Sequence, residues 1–324
     1  MSGYAELRSQ LDDSKVLILD GAIGTQLQTM GVPMNNIAWG ATALETHPTT
    51  VRMLHEKYIR AGVDIITANS YSSARHNLEP LGLGEKTAEL NWRAVTLARD
   101  ARDSAAKDRP VYIAGSVSNF GLVTGGEDRH LVHRYSPPRT CLTEEQSRAN
   151  LREQAELLVE AGVDFLIVES TGGDVQRQWI QEACLATGVP TWMGFKTRLV
   201  EADSRPRVGY AANDLFEDSF KTFMQAGGDV AAIFHTSLAS TDATLKLMAE
   251  QWAGVLAAYP EADRHDYTRP QKEAIDTPVS PEDFCSRAEQ WVAQGVQIIG
   301  GCCGIEIEHI APLRERLPER VPAR

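Results

Sequence analysis

Short apolar runs recur along this chain, separated by longer amphipathic stretches. The runs are VLILD (16–20), DIITAN (64–69), VYIAGSV (111–117), FLIVES (165–170), PTWMGFK (190–196), DVAAIFH (229–235), a weaker VLAAYP (255–260) and VQIIGG (296–301). Between them apolar residues return at helical spacing, as in TTVRMLHEKYIRAG (49–62) and SRANLREQAELLVEAG (147–162). Three helices end alike, in AGVDII (61–66), AGVDFL (161–166) and GGDVAAI (227–233). In each a glycine stops the helix and the chain enters a strand at once. Eight strands alternating with helices predict parallel β/α units, and eight such units close into a (β/α)8 TIM barrel. The pattern predicts one domain over residues 1–324, with its core at about 15–313. A doubly wound open sheet is the alternative, but no glycine-rich dinucleotide fingerprint follows any strand.

Composition narrows the class. The 324 residues, 43% of them hydrophobic, suffice for one large domain with a full core. A net charge of -12 and a pI near 5.2, without a basic run, argue against nucleic acid or an anionic membrane as partner. No apolar stretch has the length of a membrane span, and the opening MSGYAELRSQLDDSK lacks the apolar core of a signal peptide. Five cysteines without framework spacing predict reduced thiols in a cytoplasm.

In a barrel, chemistry gathers where the strands end. Those ends carry Asp20, Asn69, Ser116, Glu169, Lys196, His235, Tyr259, Cys302 and Cys303, polar or titratable at almost every position. The most distinctive is GVQIIGGCCG (295–304), an apolar strand opening into two glycines and two adjacent thiols. Glycine accepts positive φ cheaply, so the backbone can turn sharply there. Adjacent cysteines seldom bridge each other without strain, which favours a thiophilic metal such as zinc. His235, Cys302 and Cys303 can share one ion and leave a fourth position for a ligand, the catalytic pattern. Plainer readings exist for each: buried cysteines acting as small hydrophobes, a core histidine, Asp20 capping the turn of DGAIGT, and Glu169 in a structural ion pair. Cys184 and Cys285 fall in helical stretches, Cys141 in a proline-rich loop, and His55 on a helix face that packs on the barrel.

Several of these motifs together resemble the homocysteine S-methyltransferases, from about residue 15 to 313. LDGAIGTQLQTMG (19–31) is similar to that family's opening strand and turn, and HEKYIRAGVDIITANSYSSA (55–74) to its second helix, strand and loop. VES (168–170) stands where the family has a strand ending in Glu-Thr, and IIGGCCG (298–304) with His309-Ile310 is its C-terminal signature. The resemblance implies zinc as cofactor, and homocysteine plus a methyl donor as small-molecule partners, giving methionine. It implies that Asp20 and Glu169 hold the substrate ammonium, while the backbone from Gly21 to Thr25 receives its carboxylate. Trp39, Tyr71 and Phe234 become candidate faces for an onium donor. A homo-oligomer is compatible with it.

The chain departs from the family at three places. His235 falls where the family has the cysteine of a Gly-x-Asn-Cys strand, with Ala232 and Phe234 in place of Gly and Asn. A shift of two would put Ser237 there, a poor zinc ligand, so His235 is the preferred third ligand beside Cys302 and Cys303. The family's Tyr-Pro-Asn is Tyr259-Pro260-Glu261, and residues 118–140 carry an unusual His130, His133 and Tyr135. These differences keep two further readings open: a zinc-dependent demethylase using another thiol, a folate or a corrinoid protein as acceptor, and a barrel that binds without turnover. Since the sequence ends at Arg324, a corrinoid carrier is expected to be a separate protein.

Overall fold

The computed structural model describes residues 3–107, 109–124, 141–200, 203–209, 214–262 and 279–322. Its strands are β1 (Leu17–Ile18), β2 (Ile65–Thr67), β3 (Tyr112–Ser118), β4 (Phe165–Ser170), β5 (Thr191–Phe195), β6 (Arg198–Leu199), β7 (Pro206–Val208), β8 (Asp214–Leu215), β9 (Val230–Phe234), β10 (Val255–Tyr259) and β11 (Ile298–Ile299). Eight of them form one parallel sheet in the order β1-β11-β10-β9-β5-β4-β3-β2. A parallel bridge between Leu19 and Ile65 joins the two ends of that sheet. Two backbone bonds flank the bridge, Asp64 N–H to the Ile18 carbonyl at 2.7 Å and Asp20 N–H to the Ile65 carbonyl at 3.0 Å. The sheet is therefore closed on itself as a TIM barrel, and each of the eight apolar runs supplies one of its strands.

Side chains from alternate strand positions fill the interior: Leu17, Leu19, Phe165, Ile167, Trp192, Val230, Ala232, Phe234 and Tyr259 among them. The intervening positions face an outer helical layer, where Val51, Leu54, Tyr58 and Ile59 of the helix Pro48–Arg60 are buried. Proline begins that helix, where its missing N–H costs nothing. The helix Glu144–Ala161 begins with a capping box between Thr143 and Gln146 and ends on Gly162 at φ +95°. Gly62, at φ +98°, ends the Pro48–Arg60 helix in the same way. The third glycine stop differs: Gly227 and Gly228 take φ +143° and +139°, an extended mirror conformation pressed against Leu185 and Met193.

Two features lay outside the sequence pattern. The helix Gly3–Asp12 plugs the N-terminal end of the barrel with Tyr4, Leu7 and Leu11. There the Tyr4 ring sits 5.6 Å from Phe165, and the Trp192 indole N–H donates to the Tyr4 hydroxyl at 3.1 Å. At the opposite end β6, β7 and β8 form a small antiparallel sheet, tied to the barrel by the Leu199 N–H on Ser240 Oγ at 3.2 Å. With one end plugged, the site lies at the other.

Candidate active site

β9, β10 and β11 are neighbours, and their backbone pairing continues beyond the last strand residues. Cys302 N–H donates to the Pro260 carbonyl at 2.7 Å, Ala262 N–H to Cys303 at 2.9 Å, and Glu261 N–H to Thr236 at 3.0 Å. On the far side Gly301 N–H reaches the Asp20 carbonyl at 3.0 Å, joining the turn to β1. This stitching places His235, Glu261, Cys302, Cys303 and Asp20 side by side on one rim. The two glycines before the cysteines serve proximity rather than positive φ. A methyl group at Gly300 would lie 2.7 Å from Leu19 Cβ, and one at Gly301 would lie 2.3 Å from Ile305 Cγ2. Positive φ enters only at Gly304, at +77°.

His235, Cys302 and Cys303 each offer a ligand atom within 4.8 Å of the others. Cys302 Sγ lies 3.5 Å from His235 Nδ1 and 4.0 Å from Cys303 Sγ. Tetrahedral zinc with bonds of about 2.0 to 2.3 Å has ligand–ligand edges of roughly 3.5 to 3.8 Å. The trio therefore fits a thiophilic divalent ion. His235 has φ +44°, an uncommon conformation for a residue with a side chain but one that histidine tolerates better than most. Ser237 instead caps the helix Leu238–Gln251, its hydroxyl accepting from Ser240 N–H at 3.3 Å.

The electrostatics follow from burial and closeness. The Cys302 thiol donates to Cys303, which pushes the Cys303 pKa well below the usual thiol value and, with burial, pushes that of Cys302 well above it. Burial is the largest single influence on His235 and opposes a charged imidazole, yet Glu261 and Cys303 together outweigh it, and the net value rises to about 9. Glu261 Oε2 stands 2.7 Å from His235 Nδ1.

Asp20 and Glu169 are both buried on this rim. Asp20 accepts from Thr67 N–H at 2.8 Å and from its hydroxyl at 3.0 Å. Burial raises the Asp20 pKa to about 8, against those hydrogen bonds, and the charge of Glu169 adds to the rise. Burial likewise raises Glu169, although the Ser116 hydroxyl donates to it. Gly21 is a glycine because a methyl there would come within 2.5 Å of the Ile305 carbonyl. Of the turn that follows, the Ala22 amide is already committed to Ile305 at 2.9 Å. The Thr25 hydroxyl accepts from Gly304 N–H at 3.1 Å, fastening the first turn to the cysteine turn.

Among the other sequence candidates, Lys196 is half-buried, while Asn69 donates its amide to the Gly40 carbonyl at 2.9 Å. Trp39 lies against Gly24, and Tyr71 sits 5.5 Å from the Phe120 ring; both keep partly exposed faces. Phe234 does not face a donor. It is 1% exposed and packs inside the barrel, 5.8 Å from Tyr259, because it follows Val230 and Ala232 on the inward side of β9. Cys184 and Cys285 are buried in helices, Cys141 is exposed, and His55 is buried with its pKa lowered to about 4 by burial. His130, His133 and Tyr135 lie outside the described residues. Sequence reasoning gave no role to Glu261 or Thr67. Glu261 had a signal in its departure from the family's asparagine; Thr67 had none.

Fold and rim together define a barrel enzyme with a thiol-rich site able to hold a metal ion. The family model described as homocysteine S-methyltransferase matches residues 17–317, and the chain belongs to that family of methyltransferases. It is 29% identical to the homocysteine S-methyltransferase of Escherichia coli K12, over 98% of this chain and all of that one. It is 28% identical to a selenocysteine Se-methyltransferase of Brassica oleracea, over 94% of this chain and 89% of that one. The oxidized form of the Escherichia coli homocysteine methyltransferase MmuM superposes with a TM-score of 0.75, at 25% identity, over 96% of this chain and 99% of the other.

Proposed function

We propose that this barrel moves a methyl group from an onium or methylated amino-acid donor to homocysteine, giving methionine, at a zinc site formed by His235, Cys302 and Cys303. The observation that carries the reading is the meeting of those three donors with two buried carboxylates on one rim. Zinc bound there supplies the Lewis acidity that keeps an acceptor thiol, otherwise mostly protonated at neutral pH, in its thiolate form. Asp20 and Glu169 hold the substrate ammonium: buried and mutually repelling when alone, they ionise readily once a cation lies between them. The amides from Gly21 to Thr25 other than that of Ala22 receive the substrate carboxylate. The acceptor sulfur then forms its bond to the methyl carbon as the bond to the onium centre breaks, and the donor leaves with the electron pair, neutral. Trp39 and Tyr71 offer aromatic faces to the onium methyl groups, worth about 0.5 to 2 kcal/mol per contact. Among the described residues no helix is long and apolar enough to cross a membrane. Thiols needed as thiolates suit a reducing compartment, and we assign the enzyme to the cytoplasm on that ground.

The test is metal analysis of protein purified under reducing, chelator-free conditions, followed by methionine formation from homocysteine with sulfonium and quaternary-ammonium donors. About one zinc per chain and turnover with one donor class are expected. A metal-free protein inactive with every donor would overturn the reading. The likeness to a selenocysteine methyltransferase makes selenocysteine the second acceptor to assay.

A further inference from the structure

Lys196 is a cation on a rim that chiefly gathers carboxylates and thiols, those of Asp20, Glu169, Glu261, Cys302 and Cys303. It follows β5, along which side chains alternate between the two faces of the sheet. Trp192 fills the barrel interior, whereas Phe195 faces outward, 5.6 Å from Phe216 and 5.3 Å from Phe220. Thr197 is turned outward as well, its hydroxyl 2.8 Å from that of Thr244 on the helix Leu238–Gln251. Its N–H donates to Thr236 Oγ1 at 3.0 Å, which fixes the backbone there. Lys196, between two outward residues, therefore points over the mouth of the barrel, and its charge is felt at His235 on the adjoining strand end. It is half-buried and, among the described residues, makes neither a hydrogen bond nor an ion pair. A charge held partly out of water without a partner is unfavourable until an anion arrives.

Its position decides which ligand it meets. Gly194 pairs with Glu169, so Lys196 lies two residues, roughly 6.5 Å, nearer the solvent than that carboxylate. In the sheet order β1 and β5 stand four strands apart, on opposite sides of an eight-stranded barrel. An acceptor carboxylate received by the turn after β1 is out of reach of Lys196. The donor, which enters over the bound acceptor, is not.

We propose that Lys196 binds an anionic group of the methyl donor, so that the enzyme selects an onium carrying its own carboxylate over a simple cation. The inference rests on the methyl-transfer reading above and narrows its donor. A bare onium meets only repulsion from the lysine. In a zwitterion the carboxylate neutralises the lysine, while the onium turns toward the acceptor sulfur. One side chain thus attracts the first class of donor and rejects the second.

The measurement is donor KM beside homocysteine KM in Lys196→Gln and Lys196→Arg. Two matched pairs serve as probes: S-methylmethionine with its carboxamide, and glycine betaine with tetramethylammonium. In the unmodified enzyme the carboxylate-bearing member of the pair that turns over should have the lower KM. Lys196→Gln is expected to raise that KM about tenfold, the loss of one charge-assisted contact. It should raise neither the KM of the carboxylate-free member nor that of homocysteine, and the metal content should stay that of the unmodified protein. Lys196→Arg, which restores the charge, should keep the preference. An unchanged donor KM in Lys196→Gln, or an equal rise for both members of a pair, would overturn this inference alone. A rise in homocysteine KM without one for the donor would overturn it too, and give the lysine to the acceptor. A metal-free unmodified protein inactive with all four donors would instead remove the methyl-transfer reading, and this inference with it.

Discussion

Cys302 Sγ lies 3.5 Å from Nδ1 of His235, a residue 67 positions earlier in the chain. The ends of β9 and β11, which flank β10 in the sheet, bring them together, and Ser237, two residues on, is drawn away to cap a helix. His235→Asn tests this pairing fairly, since asparagine also tolerates the positive φ of +44° found there. Zinc content should fall from about one per chain to a small fraction, with the far-ultraviolet circular dichroism unchanged. Cys302→Ala should lose both zinc and turnover. Retention of full zinc in His235→Asn would show that the third ligand lies elsewhere.

Glu169 makes a different prediction, because it is meant to serve the substrate and not the metal. Glu169→Gln preserves shape and can still accept from the Ser116 hydroxyl, so the fold and the zinc should be kept. Losing one charge-assisted contact to the ammonium costs about 1.5 to 3 kcal/mol, so the homocysteine KM should rise roughly tenfold to a hundredfold. Equal metal content by mass spectrometry with a raised KM is the expected pair of results. A normal KM would assign Glu169 to structure alone.

The barrel was legible because parallel strands are buried on both faces and read as unbroken apolar runs. The same alternation sets Val230, Ala232 and Phe234 inward, which keeps Phe234 off the rim. The plug helix Gly3–Asp12 was not legible as a plug, since only the closed barrel creates the opening that Tyr4, Leu7 and Leu11 fill. Strands β6 to β8 are two or three residues long and carry no apolar run to announce them. Cys302 and Cys303 stood out by composition, whereas Glu261 acquires meaning only through its 2.7 Å approach to His235, a tertiary fact.

Gly301 offers a steric test of the cysteine turn. A methyl group there would lie 2.3 Å from Ile305 Cγ2, 2.6 Å from its Cβ and 3.0 Å from its carbonyl oxygen. Backbone and a buried branched side chain cannot withdraw, so Gly301→Ala must displace the turn that carries Cys302 and Cys303. The expected loss is about 1 to 3 kcal/mol of stability, as for other overpacked sites, together with weaker zinc retention during dialysis. Gly82→Ala is the control: it meets nothing within 4 Å, has φ +73°, and should lose stability without losing metal. Normal zinc retention in Gly301→Ala would mean the turn is softer than its contacts imply.

Asp20 links the site to stability through pH. Its folded pKa, about 8, lies above the ordinary carboxyl value of 3.8, chiefly because burial disfavours the charge. The folded state therefore binds more protons than the unfolded chain between those values, and stability must fall as pH rises through the window. Substitution by asparagine removes this liability while keeping an acceptor for the Thr67 N–H, which Asp20 holds at 2.8 Å. In the metal-free, substrate-free protein, Asp20→Asn should melt higher than the unmodified chain, and the gap should widen from pH 5 to pH 8. The widening is expected to be on the order of 1 to 2 kcal/mol, well below the ideal limit of about 1.4 kcal/mol for each pH unit. The same variant should bind homocysteine more weakly, because the charge that burdens the empty site is the one that attracts the ammonium. Parallel melting profiles for the two proteins across this range would show that Asp20 does not titrate there, and the carboxylate pair would lose its electrostatic basis.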